Sequence, residues 1–353
     1  MLPVLAESKA KSNVSGVTDE MTTKTPLTSA EMGKLWATYM GNSMAICVLR
    51  YYLRHVDDED VKNILQRSYD LANRFTQTVK DVLTEEGQPV PFGFAEQDVN
   101  LDAPRIFNDE FYLHYLKYVA KAGLSIYSIA VPLVTRKDLR EFYFDVLRST
   151  AELMIDINAV LEDKSYLSRP PMIPVPDRTD FARKESYLSG FLGQIRPLQA
   201  LEIAHLHDNL ENNATSRTVL VAFAQVAETP EVRNYFVRGG EIAAKHFTIF
   251  SDVMSKEHMP SPPALNHLVT DSTIAPFSEK LMMFHKLDMF SMRIRSYANS
   301  LAVSPRHDLA AMYGRLILEV GKYAEDGARM MINFGWMEQP PHAADREALI
   351  SRH

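Results

Sequence analysis

The residues of the first half of this chain return, in order and at nearly constant spacing, in the second half. Leu27, Glu31, Leu35, Asn42 and Leu49 pair with Leu198, Glu202, Leu206, Asn213 and Leu220 at an offset of 171, and Asn63, Ala72, Asp81, Pro89 and Pro91 carry the register on to Asn234, Ala243, Asp252, Pro260 and Pro262. One residue is then lost. At an offset of 170, Val99, Phe107, Tyr127, Arg136, Asp138, Tyr143, Asp156 and Pro170-Pro171 match Val269, Phe277, Tyr297, Arg306, Asp308, Tyr313, Asp326 and Pro340-Pro341. A period this long is a whole domain, so the chain must fold as two copies of one architecture and not as a solenoid. The expected divisions are a tail over 1–24, a first repeat over 25–171, a linker over 172–182, a second repeat over 183–342 and a tail over 343–353.

Within each repeat the apolar spacing is helical. Met32, Leu35, Tyr39, Ile46, Leu49 and Leu53 mark a first helix, and Val61, Leu65, Leu71, Phe75, Val79 and Val82 a second. A third runs from about Phe107 to Leu133 and a fourth from about Asp138 to Tyr166. Pro197, Thr229-Pro230 and Ser304-Pro305 signpost the corresponding starts in the second repeat, because a capping hydroxyl or an N1 proline suits the first helical turn. Only a few residues join helices one and two, and three and four, which forces antiparallel hairpins. The stretch from Gly87 to Arg105, repeated as His258 to Ala275, is long enough to cross a whole bundle. Two hairpins and a long crossover predict an all-α protein of two tandem ferritin-like four-helix bundles.

Composition narrows the partners. Hydrophobic residues make up 46% and charged residues 24%, ordinary for a globular protein, and the net charge of −7 offers no basic footprint for nucleic acid. The most apolar run, Leu124 to Val134, is too short to span a bilayer, and the first 24 residues lack the apolar core of a signal peptide. The one cysteine, Cys47, lies in an apolar helical run and reads as a buried thiol of a reducing, cytoplasmic protein. No phosphate-binding loop, dinucleotide fingerprint or nucleophile elbow is present.

Di-metal sites in such bundles need inward carboxylates and imidazoles on facing helices. The second repeat offers Glu202 and His205, Glu241 and His246, His285 and Asp288, then Glu319, Glu325 and Asp326, so each helix carries at least one donor. Glu202, His246, His285 and Glu319, with Asp326 outside them, form the candidate iron or manganese set. In the first repeat Phe75, Tyr115 and Ser149 stand where His246, His285 and Glu319 would be. Only Glu31/Glu202 and Asp156/Asp326 persist in both copies, a pattern that a buried structural hydrogen bond or a helix-facing ion pair also leaves. The methionine-rich strip around Met282, Met283 and Phe284 fits core filling or an apolar ligand between the helices.

The runs Asp98-Val99-Asn100, Ala103-Pro104-Arg105-Ile106-Phe107, Val269-Thr270-Asp271-Ser272-Thr273, Pro276-Phe277-Ser278-Glu279-Lys280 and Trp336-Met337-Glu338-Gln339-Pro340-Pro341 resemble a bacillar family of unknown function. That family has tandem ferritin-like domains and is related to the spore coat F (CotF-like) proteins. The resemblance spans about Leu27 to Leu349 and implies a spore-forming bacterium, with spore proteins among the partners. Two readings follow. One is a non-catalytic structural or interaction protein, and the other a metal-binding oxidoreductase or storage protein with its site in the second repeat. Whether the chain is an enzyme stays open. Duplication also predicts a monomer, since it supplies within one chain the pairing that single-repeat relatives reach by dimerising.

Overall fold

The computed structural model describes residues 25–351, and within them the chain is all-helical. The first repeat consists of α1 (Ser29–His55), α2 (Glu59–Glu85), α3 (Asp109–Leu133) and α4 (Lys137–Asp163). The second consists of α5 (Ala200–Val226), α6 (Pro230–Lys256), α7 (Glu279–Val303) and α8 (His307–Asn333). Helix lengths are 27, 27, 25 and 27 residues in both repeats. The expected tail over 1–24 lies outside the described residues. Part of the expected C-terminal tail forms a short exposed helix, α9 (Arg346–Ile350). No described helix is long and apolar enough to cross a membrane.

Local chemistry sets the helix starts. Thr28 and Glu31 close a capping box on α1, Asp58 accepts from the Asp60 and Val61 amides at 3.0 and 3.1 Å, and Ser278 accepts from the Leu281 amide at 3.1 Å. The second hairpin of each repeat braces the first. Asp109, in the first turn of α3, accepts from the Asp57 and Asp58 amides ahead of α2, and its counterpart Glu279 accepts from the Glu228 and Thr229 amides ahead of α6. Two helix ends need a left-handed residue, and each repeat puts glycine at a different one. Gly87 (φ 63°) corresponds to His258 (φ 57°), and Ser165 (φ 60°) to Gly335 (φ 70°).

The hairpins pair α1 with α2, α3 with α4, α5 with α6 and α7 with α8, and the α2–α3 and α6–α7 connections are the expected crossovers. These crossovers also join the two repeats. They run antiparallel and bridge at Val99–Phe277 and Phe107–Val269, so each position meets the other's counterpart. Four backbone hydrogen bonds obey the same exchange: Asn100 N to Pro276 O (2.8 Å) mirrors Thr270 N to Ile106 O (3.0 Å), and Ser278 N to Asp98 O (3.0 Å) mirrors Asn108 N to Leu268 O (2.9 Å). This is the isologous contact of a two-fold dimer, made here within one chain. On the pseudo-axis, Tyr115 and His285, which are equivalent positions, stack and share a 2.6 Å hydrogen bond. Away from the axis symmetry gives way to charge. Lys117 and Lys121 of α3 reach Glu211 and Asp208 of α5 at 2.8 and 2.6 Å, whereas the reciprocal positions are Leu287 and Ser291 against Met40 and Ala37.

Candidate functional site

Glu202 lies in the first turn of α5 and is fully buried. Both its oxygens accept from the Arg196 guanidinium at 2.8 Å, and one also accepts from the Gln199 amide at 2.9 Å. Burial opposes the charge, yet these donors hold its carboxyl below the usual range. Its counterpart Glu31 keeps the equivalent N-cap amide, that of Thr28, but its other partners differ: the Thr28 hydroxyl, and across the repeat the Thr135 amide and hydroxyl and the Arg136 amide, at 2.7–3.0 Å. Despite full burial, those donors bring Glu31 down to about 2. Sequence explains the exchange. Proline at 305 replaces Thr135 and removes both donors, and Arg196 in the interrepeat segment supplies them instead.

The remaining candidates separate. His246, buried in α6, contacts the Tyr297 hydroxyl through Nδ1 at 3.0 Å and Glu319 through Nε2 at 3.3 Å. Glu319 also binds Lys245 at 2.7 Å. Glu202 lies in the first turn of α5, which in an antiparallel hairpin faces the last turns of α6, roughly two helical turns beyond His246. His285 faces the other repeat, with Nε2 on Tyr115 and Nδ1 buried without a partner. Asp326 pairs with Arg238 at 2.7 Å, as its counterpart Asp156 pairs with Arg67 between α2 and α4. His205 is half-buried and 3.4 Å from Ser300. His246 and Glu319 are thus the only pair of the five brought together, and no group of three or more His, Cys, Asp or Glu among the described residues is arranged to hold a metal ion.

Burial pushes both histidines down, aided by neighbouring positive charge: His246 to about 4 beside Arg293, and His285 to about 3 beside Lys286. The carboxylate of Glu319 pulls His246 the other way, but an imidazole with no exposed surface loses more from desolvation than one partly solvated carboxylate returns. A single proton arrangement satisfies the chain from the core outward: Asn213 donates to the Tyr297 oxygen at 2.9 Å, Tyr297 donates to neutral His246, and His246 donates to Glu319. The first repeat keeps only its inner half, Asn42 donating to Tyr127 at 3.2 Å.

Two buried basic side chains escaped the sequence reading. Lys286 and Arg293 converge on the Ser216 hydroxyl at 2.9 and 2.5 Å, and both lie over the Phe290 ring at 5.2 Å. Neither has a carboxylate within hydrogen-bonding reach among the described residues. One signal pointed to them, since their counterparts are Leu116 and Gly123. Burial first, and then Arg293, hold the Lys286 ammonium well below its ordinary pKa, so unfolding takes up a proton and stability falls as pH drops below the ~10.4 of a solvated lysine. Lys286→Leu, the residue of the first repeat, is expected to raise stability by ~2 kcal/mol at pH 7 and to flatten that slope, as read by urea unfolding at pH 7 and 9.

A family of proteins of unknown function, DUF3231, matches residues 15–178 and again 187–349. No curated protein matches the chain. Among solved structures, a putative spore coat protein from Bacillus halodurans C-125 is similar at 20% identity and a TM-score of 0.40, over 43% of this chain and 98% of that one.

Proposed function

The chain belongs to the DUF3231 family, and we propose that it is a non-catalytic structural or interaction protein, a single-chain pseudo-dimer of two ferritin-like bundles. Its setting is the sporulating cell that the resemblance implies. One observation carries the reading: the polar residues best suited to chemistry are each engaged in holding helices or repeats together. Glu202 holds Arg196, Asp326 holds Arg238, Glu319 holds Lys245, and His285 holds Tyr115 of the other repeat. The two-hairpin connectivity with its long crossover supports the ferritin-like assignment.

The alternative, an iron- or manganese-binding protein, is favoured by the His246–Glu319 contact, which offers two donors at 3.3 Å. Elemental analysis of protein expressed with both metals, and purified without chelators or a polyhistidine tag, separates the two. The structural reading expects metal well below one atom per chain. About one or two atoms per chain, lost on substituting His246 and Glu319 by alanine, would establish the alternative.

A further inference from the structure

A half-open cavity of about 340 Å³ lies between α1, α2, α3 and α4 of the first repeat, within the size range of small-molecule sites. Its walls are apolar, and its rim is completed by Phe284 and Asp288 of α7. The second repeat shows how the same fold looks when this space is filled. Gly41, Ala120, Gly123 and Leu153 line the cavity, and their counterparts are Asn212, Phe290, Arg293 and Tyr323. Phe290 packs edge-on to Tyr323 at 4.8 Å with Arg293 over its face, and α5 and α7 lie close where α1 and α3 stand apart. A close-packed solution was therefore available to this architecture, and only one copy uses it.

Two polar groups at the cavity lack partners. The Trp36 indole Nε1 is buried with no acceptor. Asp288 makes no hydrogen bond among the described residues, and burial raises its pKa against the single opposing charge of Arg295. Its counterpart Tyr118 reaches across the pseudo-axis to the Met289 carbonyl at 2.7 Å, so the position that spans the repeats on one side meets the cavity on the other.

We propose that the first repeat binds one molecule of an apolar amphiphile whose alkyl or ring body fills the cavity and whose hydroxyl or amine donates to Asp288. A carboxylate head is disfavoured, because beside an ionised Asp288 it would place two like charges in one apolar site. The second repeat then serves as the packed support that closes the rim.

The full-length chain with Trp336→Phe retains Trp36 as its single tryptophan, a reporter in the cavity wall. Titration with 1-decanol, decylamine and decanoate is expected to give a saturable one-to-one change in Trp36 emission for the alcohol and the amine. Decanoate should bind ~10-fold more weakly, and Asp288→Asn should erase that preference. Ala120→Phe should cut affinity ~10-fold or more. Gly41→Leu, where an added Cβ meets no atom within 4 Å, should do the same if the larger ring prevents folding. Ligand should also raise the melting temperature of the parent but not of the filled variants. Absence of saturable binding by all three probes, equal affinity in the folded filled variants, or tightest binding of decanoate would overturn the proposal.

Discussion

Between pH 6.5 and 4.5 the protein is expected to lose ~5 kcal/mol of folding stability, with buried His246 and His285 as the main cause. In the unfolded chain an imidazole takes up a proton near 6.5, whereas His285 and His246 do so only at about 3 and about 4 in the folded state. Throughout that window these two imidazoles bind more protons in the unfolded state, so their contribution to stability is full above pH 6.5 and falls by ~1.4 kcal/mol per pH unit for each histidine. Urea unfolding at half-unit pH steps reads this slope. His285→Phe should roughly halve it, at the cost of about 1 kcal/mol at pH 7 for the lost Tyr115 hydrogen bond. A slope unchanged in that variant would mean that His285 is protonated in the folded protein. Below pH 4.5 the paired carboxylates take over. Glu31, down at about 2, contributes stability that is present above its unfolded value of about 4.3 and lost as pH falls through the folded one.

Glu31→Ala is expected to cost about 3–5 kcal/mol, among the largest effects of any single polar substitution in the chain. The carboxylate accepts from Thr28 at the start of α1 and from Thr135 and Arg136 at the α3–α4 turn, so its removal unties the two hairpins and orphans the buried Arg136 amide. Glu202→Ala should cost less, about 1–3 kcal/mol, because its main partner Arg196 is closer to solvent and loses one carboxylate while keeping the Tyr187 and Pro197 carbonyls. Urea midpoints of the two variants check the order. Equal losses would mean that the α3–α4 turn does not depend on Glu31.

The architecture was legible because it rests on local signals written twice. Duplicated helical spacing, the proline at 230 and two long crossovers define eight helices whose observed starts keep the offsets of 171 and 170, whereas Pro197 and Pro305 lie ahead of the N-caps Gln199 and Arg306 and not in the first helical turn. The persistence of Glu31/Glu202 and Asp156/Asp326 correctly allowed a hydrogen bond and a helix-facing ion pair. What a single-repeat helical pattern could not convey was direction relative to the second repeat. His285 satisfies the helical spacing of an inward donor, but the pseudo-axis passes beside it and its partner is Tyr115, 170 residues earlier. Arg196 is equally remote from periodicity, since it belongs to the irregular segment before α5. The cavity follows from residue sizes in the first repeat that become informative only beside Phe290, Arg293 and Tyr323 of the second.

The account stands on the two repeats forming one unit through equivalent surfaces, and cutting the chain between them tests this most directly. The connection around Met172 and Val175, 100% and 88% exposed, accepts a site for a specific protease without touching either core. After complete cleavage of the full-length protein, the halves are predicted to co-elute as a one-to-one complex at micromolar concentration, held by the paired crossovers and the Tyr115–His285 contact. Elution as two separate, folded fragments would contradict the pseudo-dimer.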